Sequence, residues 1–165
     1  MEPLTPEVYE HLKAMALRVH RRNPGSTVSA TELVHEAWLK MERSAAEVEN
    51  SSHYVRVAAR AMRQILVDRA RSRKALRRGG DQVRTTLSQK GEPAVVLDLL
   101  VLDELLRELA EGSERASQVV ELRVFAGLTA QEIAEQLGVS RRTVTLDWRF
   151  ARAFLEKRVK RGSEG

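Results

Sequence analysis

The sequence predicts an all-α chain of two small helical domains joined by a polar linker. Three observations predict this. Apolar residues recur at helical spacing almost throughout, and no convincing alternating strand is found. A polar run, GGDQVRTTLSQKGEP (residues 79–93), has few large apolar residues and cannot bury enough surface to offset its own ordering. The stretch Leu128–Leu155 reads as a helix-turn-helix. The expected division is residues 1–78 for the first domain, 79–94 for the linker and 95–165 for the second.

The elements follow in order. Thr5-Pro6-Glu7 starts a first helix, with Thr5 as cap and Pro6 in the first turn. Its apolar face is Val8, Leu12, Met15, Ala16 and Val19, and Asn23-Pro24-Gly25 ends it. A second helix starts near Ser29 or Thr31 and runs to about Arg43, with Leu33, Val34, Ala37, Trp38 and Met41 inward. Residues 44–52 are small and polar and read as a loop. A third, long helix runs from about His53 to Lys74 or a little beyond, with Val57, Ala58, Ala61, Ile65 and Leu66 apolar. After the linker, a fourth helix covers about Val95 to Glu111, and Gly112-Ser113 breaks it. A fifth covers about Glu114 to Phe125. Each half shares apolar faces among three or four helices.

The helix-turn-helix carries the most local detail. Thr129 and Glu132 have capping-box spacing, and Ile133, Ala134 and Leu137 form the apolar stripe of a short helix. Gly138 sits where a left-handed residue ends that helix. Val139 plugs the corner, and Ser140 caps a second helix. There Val144, Trp148, Ala151 and Leu155 make one buried face, and Arg141, Arg142, Thr145, Arg149 and Arg152 make the other. A short helix, a glycine turn and a helix with a basic outer face is a geometry that fits the DNA major groove.

Charge is unevenly distributed. The net charge is +5, from 28 Lys and Arg against 23 Asp and Glu. Arg56 to Arg78 holds nine basic residues and one acid, and Arg141 to Arg161 holds eight basic residues and two acids. Between them, Glu92 to Glu114 holds seven acids and one base. Two separated cationic blocks suggest two contacts with nucleic acid. The chain has no cysteine, which excludes disulfides, thiolate nucleophiles and Cys-based zinc sites. None of the four histidines has metal-ligand spacing, and no glycine loop cradles a phosphate, so no catalytic residue, cofactor or metal is expected. MEPLTPEVYEHL is no signal peptide and no apolar run approaches a membrane span, so a cytoplasmic location without membrane contact is expected.

Three blocks, in this order, resemble a family. ATELVHEAWLKM (Ala30–Met41), YVRVAARAMRQILVDRARSRKALRRGG (Tyr54–Gly80) and GLTAQEIAEQLGVSRRTV (Gly127–Val144) resemble extracytoplasmic-function (ECF) sigma factors, the minimal sigma-70 type with domains 2 and 4 only. LDWRFARAFL (Leu146–Leu155) resembles the end of an ECF-like branch. The resemblance implies a bacterial protein, not itself an enzyme. Such a protein binds core RNA polymerase, directs it to promoter DNA and helps open the duplex. It implies domain 2 as a three-to-four-helix bundle and domain 4 as the helix-turn-helix.

Residue roles follow from the resemblance. Glu32, His35, Glu36 and Leu39, on one face of the second helix, would dock on the polymerase clamp. Arg56, Arg60, Arg63 and Gln64 can share an exposed sector of the third helix toward the −10 element, arginines on phosphates and Gln64 on a base edge. The segment before them would capture a flipped base. Tyr54 or His53 would stack and Asn50, Ser51 or Ser52 would hydrogen-bond, although Tyr54 equally fits a core position. Val57 and Ala58 depart from the family, whose typical members have Trp or Phe there. Arg141, Arg142 and Thr145 would read the −35 element, and Arg149 and Arg152 would hold phosphates. An anti-sigma factor or a Ser/Thr kinase would control the protein. Phosphate on Ser51 or Ser52 would add charge beside the polymerase face. The alternative reading is a one-component helix-turn-helix regulator that binds operator DNA as a dimer without polymerase.

Overall fold

The computed structural model describes residues 6–23, 28–43, 51–77, 84–87 and 91–164. Of the expected features, the Thr5 cap, Pro24-Gly25, most of the 44–52 loop with Asn50, and Gly79-Gly80 lie outside these residues. So do the side chains of Ser51 and Ser52.

Among the described residues the fold is all-α apart from one short hairpin. Helices α1 (Pro6–Arg22), α2 (Ala30–Arg43) and α3 (Ser51–Arg77) precede it, and α4 (Leu99–Gly112), α5 (Glu114–Ala126), α6 (Ala130–Leu137) and α7 (Arg141–Glu164) follow. Leu12, Met15, Ala16 and Val19 of α1 are buried, as are Leu33, Val34, Ala37 and Met41 of α2. The start of α2 is a capping box. The Glu32 amide donates to Ser29 Oγ at 3.2 Å, and the Ser29 amide donates to Glu32 Oε2 at 3.0 Å. On α3 the buried set is wider than one stripe: Val55, Ala58, Ala59, Ala61, Met62, Ile65, Leu66, Val67 and Ala70. A helix apolar over that much of its circumference has neighbours on more than one side. Here it packs against α2 and also against α4 and α5.

The expected absence of strands and the expected start of the fourth helix are corrected. Strands β1 (Arg84–Leu87) and β2 (Val95–Asp98) pair antiparallel, with Arg84 opposite Asp98 and Leu87 opposite Val95. Thr85, Leu87 and Leu97 turn inward and are buried. Val95 and Val96 are β-branched and favour extended backbone. Helix α4 begins only after Asp98, whose carboxylate accepts from the amides of Leu100 at 2.7 Å and Val101 at 3.4 Å. Ser113 then ends α4 and caps α5: its amide donates to the Leu109 carbonyl at 2.7 Å, and its hydroxyl accepts from the Ala116 amide at 3.2 Å.

The two halves share one core. Buried residues from α1 to α7 form a single hydrophobic cluster, and α5 packs on α1 and α3 as well as on α4 and α7. Arg18 of α1 donates to the Gly127 carbonyl at the end of α5, at 3.2 Å.

Candidate nucleic-acid interface

The second half builds its site from local rules. Thr129 and Glu132 form the reciprocal box, both bonds at 3.2 Å. Gly138 adopts φ +66°, and the Val139 amide closes back on the Ala134 carbonyl at 3.1 Å, a left-handed helix end. Ser140 Oγ accepts from the Thr143 amide at 3.1 Å and starts α7. Val144, Trp148, Ala151 and Leu155 are buried, which fixes the opposite face outward. There Arg141, Arg142, Thr145, Leu146 and Arg149 line one shallow depression. Thr145 is half-buried and its hydroxyl donates to the Arg141 carbonyl at 3.1 Å. Leu146 is 52% exposed there, and Phe150, which the spacing does not single out, is 56% exposed on the same helix.

Arg152 is corrected. It is not on the open face. Its side chain is 12% exposed and donates to Glu92 at 2.6 Å and Glu156 at 2.8 Å, and to the Pro93 carbonyl. Arg152 stands one turn beyond the buried Trp148, and the residues just before β2 lie over that seam. The Trp148 indole N–H donates to the same Glu92 carboxylate at 3.3 Å. Asp147 accepts from Arg115 of α5 at 2.6 Å.

In the first half, Arg56, Arg60 and Gln64 are exposed, but Arg63 is not, which corrects the shared outward sector. Its guanidinium is 13% exposed. Nε donates to Asp103 Oδ1 at 2.8 Å, Nη1 to Glu121 Oε2 at 2.6 Å and Nη2 to the Asp103 carbonyl at 3.1 Å. The reason is tertiary. Helices α4 and α5 lie along this sector of α3, leaving two crevices of about 230 and 280 Å³. His53, Arg56 and Arg60 line the first with Gln118 and Glu121; Arg60, Arg63 and Gln64 line the second with Asp103 and Glu121. Tyr54 packs on the core, 6.4 Å from the His11 ring between centroids. Its hydroxyl is buried without a hydrogen-bond partner among the described residues, and burial raises its pKa above the ordinary phenol range. That environment suits a core tyrosine rather than a free stacking platform.

The α2 face is assembled as expected from spacing. Glu32 is committed to its cap, and His35 meets the Tyr9 ring edge-on at 6.1 Å. Glu36 pairs with Arg69 of α3, and Leu39 is 47% exposed.

The second half thus combines a capped helix, a left-handed glycine turn and a recognition helix with an arginine face, and it shares its core with the helices of the first half. The ECF sigma factor family model matches residues 1–161. The chain belongs to the ECF sigma factor family. No curated protein matches it. Among solved structures, this ECF sigma factor is similar to the sigma factor RpoE of Bartonella quintana, which was crystallised with the anti-sigma factor NepR. The two are 19% identical over 93% of this chain and 92% of that one, with a TM-score of 0.39, too distant to transfer an arrangement of the two halves. Among the described residues of this sigma factor, no helix is long and apolar enough to cross a membrane.

Proposed function

We propose that this sigma factor binds core RNA polymerase, directs it to a class of promoters and helps open the duplex, without chemistry of its own. Family membership over residues 1–161 carries the reading. The α6–α7 geometry supports it, with Arg141, Arg142 and Thr145 toward base edges of the −35 element and Arg149 on phosphate. In this reading residues 1–78 are domain 2, residues 79–94 connect, and residues 95–165 are domain 4. Arg56, Arg60 and Gln64, exposed on α3, meet the −10 element, with Asn50, Ser52 and His53 toward a flipped base. Glu32, His35, Glu36 and Leu39 of α2 meet the polymerase. The setting is the bacterial cytoplasm, and an anti-sigma factor or a Ser/Thr kinase supplies control.

Run-off transcription with purified bacterial core polymerase tests the proposal. Genomic fragments, including the promoter of the protein's own gene, are the templates. Discrete transcripts that require the chain are expected. Failure to associate with core polymerase, together with symmetric dimeric binding to an inverted-repeat operator, would overturn it in favour of a one-component regulator.

A further inference from the structure

The acidic stretch between the two cationic blocks has partners in both. Asp103, together with Glu121 of α5 just beyond the stretch, holds Arg63 of the first block, while Glu92 holds Arg152 and Glu108 holds Arg158 of the second, the last pair at 2.6 Å. Asp103 also lies 3.1 Å from Arg107 and 3.8 Å from Arg71. The exposed pairs contribute little, because water and salt screen them. The weight falls on Arg63 and Arg152, whose side chains are 13% and 12% exposed.

We propose that Asp103 and Glu121 are an internal substitute for DNA phosphate, which clasps α4 and α5 of the second half to α3 of the first and competes with the duplex for the arginines of the first block. The proposal rests on the reading of α3 as a DNA surface. A guanidinium fork donates to carboxylate and phosphate oxygens in the same geometry, so one occupant excludes the other. On Arg63 all three nitrogens already donate, two to carboxylates and one to the Asp103 carbonyl. A phosphate reaches it only after α4 and α5 move off α3. The clasp acts at the high effective concentration of a tethered group, so it outcompetes weak, sequence-independent binding and yields to a site that engages both halves.

The test compares two full-length double variants with equal charge change. D103N/E121Q removes the counter-charges of Arg63 and leaves its guanidinium poorly hydrated in the closed form only. E104Q/E111Q neutralises two exposed acids of α4. The cysteine-free chain accepts a label pair at Glu42→Cys on α2 and Gln131→Cys on α6, which reports the separation of the halves. The probe is a fluorescent DNA duplex about three helical turns long, read by anisotropy. D103N/E121Q is expected to widen the label separation and tighten duplex binding by about tenfold over E104Q/E111Q. Equal affinity of the two variants, or an unchanged separation, overturns the clasp. Should D103N/E121Q lose its helical circular dichroism, the parent chain decides: saturating duplex must widen the separation, and an unchanged value overturns the proposal. Run-off transcription is a separate readout, so loss of the sigma reading and loss of the clasp are told apart.

Discussion

Gly127 and Gly138 both end a helix in left-handed backbone, at φ +68° and +66°, yet they face different constraints. A Cβ at Gly138 meets nothing within 4 Å, whereas one at Gly127 meets Arg18 Cβ at 2.6 Å and Cδ at 2.7 Å. Gly138→Ala should therefore cost about 1–2 kcal/mol, the conformational term alone. Gly127→Ala adds a steric conflict with α1 and should cost clearly more; equal losses in urea unfolding would refute the close approach. Tyr54 makes a second prediction at this scale. Above about pH 10 the unfolded chain releases a phenol proton that the folded chain retains, so the unfolded state binds fewer protons and stability falls as pH rises. Tyr54→Phe removes that contribution and a buried hydroxyl with no partner, so it should melt close to the parent near neutrality and lose less on going alkaline. Identical alkaline losses in thermal melts would contradict it. Of the two glycines, one has a constraint that is legible in the sequence: Gly138, because a capped helix must end there. The Arg18 contact at Gly127 is not, since the two are 109 residues apart.

The helix-turn-helix was the most legible element because every device in it is local. The cap, the stripe, the turn glycine and the second cap all act within a few residues, and the structure repeats each one. The proposed base contacts rest on that geometry. If Arg141 makes a bidentate contact, Arg141→Ala should weaken duplex binding by about 1–3 kcal/mol and relax selectivity at one base pair. A uniform loss across duplexes altered one pair at a time would assign it to phosphate. The hairpin was illegible for the opposite reason. Strands of four residues offer only two inward positions each, too few for a period to emerge, and Thr85 is polar. Composition marked the region as unable to order, while pairing with Val95–Asp98 supplied the missing partner. The helical start expected at Val95 moved to Leu99 because Asp98, not an earlier residue, satisfies the first free amides.

Across the whole molecule, apolar periodicity gave the helices but not their neighbours. The breadth of the buried set on α3 already implies more than one packing partner, yet spacing cannot say that one is α5. The ion pairs are less accessible still. Arg63 and Asp103 are 40 residues apart and Arg152 and Glu92 are 60 apart, separations that no helical rule relates. The available signal is the acid-rich stretch flanked by two basic ones, a contrast that does not by itself specify which residues pair. Arg63 and Arg152 are expected on open faces for that reason and are covered instead: a charged residue on the edge of a buried stripe is exposed only until a neighbour of opposite sign covers it.

The register of the hairpin limits how far the two ends of the protein can travel. Because Arg84 sits opposite Asp98, everything between them doubles back and adds no stride. While that ladder holds, only about seven residues after Arg77 supply slack, at most roughly 25 Å of extended chain. Unzipped, the roughly 22 residues from Arg77 to Leu99 span about 75 Å, close to two turns of B-form DNA at about 34–36 Å each. The four-rung ladder is a spool, and any spacer wider than the short leash has to unwind it first.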